Sequence, residues 1–202
     1  LDLIEVSSDI LGIAVGDASG HGLPAALQAR DVVTGLRMGV EKDLKITAVM
    51  RRLNHVIHRS GLTSRFVSLL FAELEAEGNL TWSNAGHDPG LVIRTDGRVD
   101  QLKSTGIVMG PLEEAEYSRR MLHIGEGDTL VCYSDGIVER TDGADEEEFG
   151  LTRFQDELKQ ALGAGLDAEG ICEHILEKLR EFGDGAPWAD DVTILVLRRE
   201  ST

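Results

Sequence analysis

Residues 11–27 read LGIAVGDASGHGLPAAL, and the choice between two readings of this stretch decides the fold. A short apolar run (Leu11, Ile13, Ala14, Val15) stops at Gly16-Asp17 and passes through Ala18-Ser19-Gly20-His21-Gly22. It then enters a helix at Pro24, a residue suited to a first helical turn. Gly16, Gly20 and Gly22 let the backbone bend sharply and approach a ligand closely. One reading is a phosphate cradle: Gly20-His21-Gly22-Leu23-Pro24-Ala25 fits G-x-G-x-x-A, and Glu41 lies about 20 residues onward, as a dinucleotide site requires. That reading needs a second parallel strand next. Residues 44–58 instead place Ile46, Val49, Met50, Leu53, Val56 and Ile57 at spacings of three and four, the period of a second helix. The other reading follows: a strand that ends by presenting Asp17, then two consecutive helices.

Working outward, residues 3–6 form a strand before the Ser7-Ser8-Asp9 turn. The first helix runs from Pro24 to about Met38, with Ala25, Ala26, Leu27, Val32, Val33 and Leu36 as its apolar positions. Residues 66–74, 80–83, 91–94, 99–102, 119–124 and 129–133 read as strands. Gly78-Asn79, Asp96-Gly97 and Gly125-Glu126-Gly127-Asp128 supply turns between them. The acidic stretch 142–148 reads as a solvated loop; residues 151–162 and 168–182 are helical, and 192–197 is a last strand. Strand block, helix pair, strand block, helix pair and strand is not an alternating βαβ order. The expectation is an α+β fold, an α-β-β-α sandwich of two stacked antiparallel sheets flanked by helix pairs.

The 202 residues are enough for one domain with a sizeable core, and aromatics at 4% leave that core to Leu, Val, Ile and Ala. A net charge of −16 repels nucleic acid and anionic membranes, so neither is expected as a partner. No apolar run reaches the ~18 residues that would span a bilayer. Cys132 and Cys172 lack metal spacing and read as buried small hydrophobes, and nothing at the N-terminus resembles a signal peptide, so the expectation is a cytoplasmic protein. The sequence opens on Leu1 inside a strand, so we expect the C-terminal part of a longer protein.

Three strand ends repeat one pattern. Ile13-Ala14-Val15 ends at Asp17, Leu130-Val131-Cys132-Tyr133 ends at Ser134-Asp135-Gly136, and Asp190-Asp191 stands before Val192-Thr193-Ile194. A lone Asp beside Gly is ordinarily a turn, as Asp96-Gly97 illustrates. Two adjacent acids abutting a buried strand are costly unless satisfied, which singles out Asp190-Asp191. If the strand ends meet, their carboxylates repel one another unless divalent cations intervene. Oxygen donors without His or Cys favour Mg2+ or Mn2+ over zinc. Two such ions ~3.5–4 Å apart would prepare a water for attack on a phosphate. His55 and His58, three apart, are better explained by an exposed helix face than by a metal, and Trp188 by packing before the last strand.

Four motifs in order, Gly16-Asp17-Ala18-Ser19-Gly20-His21-Gly22, Asn84-Ala85-Gly86-His87-Asp88-Pro89, Tyr133-Ser134-Asp135-Gly136-Ile137-Val138-Glu139 and Asp190-Asp191-Val192-Thr193, resemble the SpoIIE-like branch of the PPM (type 2C) metal-dependent phosphatases. Glu148-Phe149-Gly150 adds to the likeness, which covers essentially the whole chain. The resemblance implies a single PPM-type phosphatase domain over 1–202 and a bacterial signalling and stress-response role. It implies hydrolysis of a phosphoserine or phosphothreonine protein, such as a small STAS-domain antagonist of an anti-sigma factor, and an upstream sensor or receiver domain. It assigns Asp17 as the ligand bridging two Mn2+ or Mg2+ ions, the Ala18 carbonyl as a neighbouring donor, and Asp135 and Asp190 as further ligands. Gly136 would permit the turn at Asp135 and Asp191 would support its neighbour. His21 is a candidate general acid toward the leaving serine oxygen, and His87 a support for its own turn. The branch opens with Gly-Gly-Asp-x-x-Asp, of which this sequence matches only the last residue, as Asp2; no counterpart of the type 2C phosphate-holding Arg is found. A partner-binding module that keeps the fold without catalysis is the alternative.

Overall fold

The computed structural model describes residues 1–20, 22–42, 45–60, 66–143 and 147–200. They form an α+β fold that divides into two compact units, Leu1–Pro89 with Leu102–Ile124, and Gly90–Gln101 with Gly125–Thr202.

The first unit is a five-stranded sheet in the order β1-β2-β3-β4-β7, with every pair antiparallel. Its strands are β1 (Asp2–Ser7), β2 (Ile10–Ala18), β3 (Val67–Glu75), β4 (Asn79–Ala85) and β7 (Arg120–His123). Helices α1 (Leu23–Glu41) and α2 (Ile46–Arg59) follow β2 directly. Because β3 then returns antiparallel to β2, with Asp17 opposite Ser68, the dinucleotide-binding reading is excluded: it requires a parallel strand after α1.

Ile46, Val49, Met50, Leu53 and Ile57 of α2 are buried against Leu36 of α1 and Leu69 and Phe71 of β3. The two helices come close because α1 carries Gly35 and Gly39 where they meet. A Cβ at Gly35 would lie 2.4 Å from Leu53, and one at Gly39 would lie 2.9 Å from Val49. Val56 and Leu27 are exposed rather than part of the apolar stripes, while Gln28 is buried. The buried positions Gln28, Val32, Leu36 and Gly39 repeat every three or four residues, which turns Leu27 to the outer side of α1.

The second unit is a four-stranded sheet in the order β6-β5-β8-β9, built from β5 (Gly90–Ile93), β6 (Val99–Leu102), β8 (Thr129–Tyr133) and β9 (Ile194–Arg198). Helices α3 (Gly150–Gly163) and α4 (Ala168–Phe182) supply Phe154, Leu158, Ile171, Ile175 and Leu179 to a core shared with Leu91, Val131 and Tyr133. Tyr133 and Phe154 meet edge to face at 4.7 Å. Asp167 caps α4 by accepting from the Gly170 amide at 2.8 Å.

The expected turns are present. Asp96 binds the Arg98 amide at 3.0 Å within the β5–β6 hairpin, and Gly97 has φ 82°. Asp128 accepts from the Gly125 and Thr95 amides and pairs with Arg94 at 2.7 Å. Burial opposes its ionisation, but those bonds outweigh it and hold the carboxyl below its ordinary range. Cys132 is buried and its thiol is pushed up to about 12 by that burial; Cys172 is only half-buried. Of the acidic loop, residues 144–146 lie outside the described residues; around them Thr141 bridges Glu148, and the Phe149 amide donates to the Arg140 carbonyl at 2.7 Å. Among the described residues no helix is long and apolar enough to cross a membrane.

Candidate active site

In the first unit, β2 carries Asp17 out of the core. Residues Gly12 to Val15 are buried and Gly16-Asp17 emerge at the surface. Gly16 is required by crowding, since a Cβ there would sit 2.5 Å from the Ser68 carbonyl oxygen. Beyond Asp17 the chain is tied back to β3: the Ser19 amide donates to the Phe66 carbonyl at 2.9 Å, and the Phe66 amide donates to Ser19 Oγ at 2.8 Å. Ala18 is buried opposite Val67. A small cleft of ≈ 70 Å3 lies beside Asp17, lined also by Asp2, Gly16, Ala18, Val32 and Leu69. His21 falls outside the described residues.

Asp2, at the rim of this cleft, is held by Arg37 of α1 through a two-pronged contact, Nε to Oδ2 at 3.0 Å and Nη2 to Oδ1 at 2.7 Å. That pairing pins the first strand to α1. A second group that sequence reasoning did not single out is Ser68. It stands opposite Asp17 in the ladder, and its Oγ lies 2.8 Å from His87 Nδ1. Residues opposite one another in an antiparallel pair share a sheet face, so register would have exposed Ser68 once β2–β3 pairing was known. His87, 7% exposed, is fixed as expected for a turn support. Its amide donates to Asn84 Oδ1 at 2.8 Å, and Asn84 Nδ2 donates to the carbonyls of His87 and Leu102, each at 3.0 Å. His55 and His58 are turned to other partners: His55 lies 3.8 Å from Glu113, and His58 Nδ1 lies 2.6 Å from the Gly110 carbonyl.

In the second unit, the strand end after β8 and the approach to β9 meet. The Ser134 amide donates to the Thr193 carbonyl at 3.0 Å, Ser134 Oγ donates to the Asp191 carbonyl at 3.1 Å, and the Thr193 amide donates to Ser134 Oγ at 2.9 Å. Gly136 completes the contact, because a Cβ at this position would fall 2.5 Å from the Asp191 carbonyl oxygen. Asp135 Oδ1 accepts from the Gly136 amide at 2.9 Å and Asp190 Oδ1 from the Asp191 amide at 2.7 Å. Asp190 and Asp191 are both exposed, so no desolvation penalty marks them out, contrary to the expectation that they abut a buried strand. Trp188 is also largely exposed, one face stacked on Arg140 at 4.5 Å.

The structure therefore brings Asp135, Gly136 and the Asp190-Asp191 pair together within one unit and places Asp17 and Ala18 in the other. Among the described residues no three His, Cys, Asp or Glu side chains stand together as a formed metal cage. The donor chemistry nevertheless fits a hard divalent cation. The assigned side-chain donors are all carboxylate oxygens, among the described residues one oxygen each of Asp135 and Asp190 is left over from the local amide bond, and the glycine at 136 admits the close approach.

Antiparallel sheets, paired helices and acids presented at strand ends are the make-up of a PP2C-type domain. The chain belongs to the SpoIIE family, whose model, Stage II sporulation protein E (SpoIIE), matches residues 7–200. The phosphoserine phosphatase RsbU of Bacillus subtilis is 28% identical over 193 residues, covering 94% of this chain and 56% of RsbU. The chain thus spans little more than half of that relative. A solved structure of the RsbU and RsbW domains of a Mycobacterium tuberculosis protein superposes with TM-score 0.82 at 26% identity, over 100% of this chain and 56% of that one. The PP2C phosphatase domain of Bacillus subtilis SpoIIE, solved with a fragment of its regulatory domain, gives TM-score 0.80 at 18% identity, over 98% of this chain and 57% of that one.

Proposed function

We propose that this chain is a Mn2+- or Mg2+-dependent phosphoserine/phosphothreonine protein phosphatase acting on a small STAS-domain phosphoprotein. In this reading residues 1–202 work as one catalytic domain of a longer cytoplasmic protein with an upstream sensor or receiver domain. The observation that carries it is the junction of the Ser134-Asp135-Gly136 turn with Asp190-Asp191, inside a family match that runs almost end to end.

Asp17 and the Ala18 carbonyl in the first unit, and Asp135 and Asp190 in the second, are the residues that would hold the divalent cations. Bound divalent cations supply positive charge for the phosphoryl oxygens and lower the pKa of water so that it attacks at neutral pH. The chain's own residues do the rest. The Gly136 and Asp191 amides each hold one oxygen of the adjacent carboxylate and fix its orientation. Ser134 holds the Asp191 backbone and so ties the two acidic segments together. Ser68 and His87 support the sheet face that carries Asp17. His21 is the candidate to hand a proton to the leaving serine oxygen. No phospho-enzyme is required.

The test is hydrolysis of a phosphoserine peptide in Mn2+ by the chain and by Asp17→Asn and Asp190→Asn. Loss of about 100-fold or more in each variant is expected of a lost ligand. Equal activity in all three would overturn the assignment. Absence of turnover at any Mn2+ concentration would favour a non-catalytic partner-binding module instead.

A further inference from the structure

Arg140 is 5% exposed, yet among the described residues no carboxylate pairs with it. Its guanidinium is spent on backbone. Nη1 donates to the Pro187 carbonyl and Nη2 to the Ala186 carbonyl, both at 2.6 Å, while the charge stacks on the Trp188 ring at 4.5 Å. Nε has no partner. To reach these carbonyls the side chain passes the end of α4 at Gly183, where a Cβ would lie 1.8 Å from Nη2. A buried cation without a counter-ion is costly, and an apolar side chain would fill the same space more cheaply. Arg140 is therefore best explained by what it holds.

What it holds is the segment two to four residues before Asp190. The backbone that leads into Arg140 is tied to Asp135: the Glu139 amide donates to the Asp135 carbonyl at 2.8 Å, so residues 135–139 close one turn immediately before Arg140. Ser134 ties the two acidic segments together on one side through Asp191 and Thr193. Arg140 ties them on the other through Ala186 and Pro187. The planar fork suits two consecutive carbonyls in a way that a lysine ammonium does not.

We propose that Arg140 is a positioning residue that sets where Asp190 stands relative to Asp135, and through that placement the affinity of these two carboxylates for a divalent cation. The inference rests on the metal-site reading of Asp135 and Asp190. Supporting groups of this kind typically change metal affinity by about 10–100-fold when removed.

The experiment titrates MnCl2 into the purified chain by calorimetry, for wild type, Arg140→Met, Arg140→Lys, Trp188→Ala, Arg94→Met and Asp190→Asn. Amide exchange over residues 184–191 and thermal melting are recorded on the same samples. Arg140→Met and Arg140→Lys are expected to weaken Mn2+ binding by about 10-fold or more, with faster exchange in 184–191, and to recover turnover at saturating Mn2+. Arg94→Met breaks the ion pair with Asp128 and is expected to lower the melting temperature without changing Mn2+ affinity, which separates positioning from general destabilisation. If Arg140→Met does not fold, Arg140→Lys carries the test, because it keeps the charge and most of the volume and loses only the fork that reaches two carbonyls. Wild-type Mn2+ affinity in the Arg140 variants, with affinity lost in Asp190→Asn, would overturn the role of Arg140 alone. Wild-type affinity in Asp190→Asn would overturn the metal reading and this proposal with it.

Discussion

Gly136 and Asp191 touch so closely that the backbone oxygen of one occupies the space where a side chain on the other would begin, 2.5 Å from the ideal Cβ position. Gly136 lies outside the left-handed region, so its requirement is one of space and not of dihedral angle. The Gly136→Ala substitution must therefore push the Asp135 turn away from Asp190-Asp191. We expect a loss of about 1–3 kcal/mol in stability, seen by urea titration, together with weaker Mn2+ binding. Unchanged values in both measurements would show that the contact gives way without consequence.

Asn54 is fully buried on α2 and makes three bonds to one segment. Nδ2 donates to the carbonyls of Leu112 and Glu113, each at 2.9 Å, and Oδ1 accepts from the Gly110 amide at 2.9 Å. Asn54→Ala strands all three backbone groups, at a cost of about 2–4 kcal/mol. Thermal melting checks this, and Asn54→Asp should be almost as damaging, because a carboxylate repels the two carbonyls that the amide satisfied.

These two positions also show what the sequence can and cannot disclose. The apolar stripe of α2 was legible because burial imposes a period, and its buried members Ile46, Val49, Met50, Leu53 and Ile57 obey it. Asn54 lies within that stripe, but its partners are more than 50 residues away and leave no local mark. Asp17, Asp135 and Asp190 were legible as acids at strand ends, and Gly136 as a turn residue. Arg140 was not, because an arginine after a glutamate reads as surface until the chain from α4 to β9 is folded over it. Ser68 was hidden for a similar reason: only the pairing register sets it opposite Asp17. The exposed Val56 and Leu27 mark the opposite limit, since periodicity alone does not tell how wide a stripe the partner covers.

Asp128 predicts an acid-side dependence. Its folded carboxyl is held below the ordinary range, after burial is outweighed by bonds from Arg94 and two backbone amides. Such a group stabilises the fold above its unfolded pKa of about 3.9, and that contribution is lost as pH falls through the lowered folded value. Asp128→Asn should therefore be less stable than wild type at pH 7, with the difference shrinking as the pH is taken below 4 (approximately the unfolded value). Urea midpoints at several pH values measure it; a difference independent of pH would mean that the carboxyl contributes through shape alone.

Cys132 lies in the β8 core with its thiol pushed up to about 12 by burial, whereas Cys172 on α4 is only half-buried, its thiol raised by burial and then by Glu169. The thiolate is the reacting form, so neither is fast at pH 8, yet Cys172 has solvent access that Cys132 lacks. Iodoacetamide labelling read by mass spectrometry should modify Cys172 first and reach Cys132 only when urea unfolds the second unit. Equal rates in the native protein would show that β8 opens readily.

Gln28 is 3% exposed on the inner face of α1, and among the described residues neither its amide nitrogen nor its amide oxygen has a hydrogen-bond partner. Two unmet polar atoms in a core cost about 1–3 kcal/mol each relative to water, and nothing in the packing of α1 requires them. Gln28→Leu keeps nearly the same volume and removes both, so it should raise stability by about 1–2 kcal/mol. Gln28→Glu, which buries a charge in the same place, should lower it. The pair of variants discriminates sharply: if Gln28→Leu is the less stable protein, the buried amide contributes more to the fold than its burial costs.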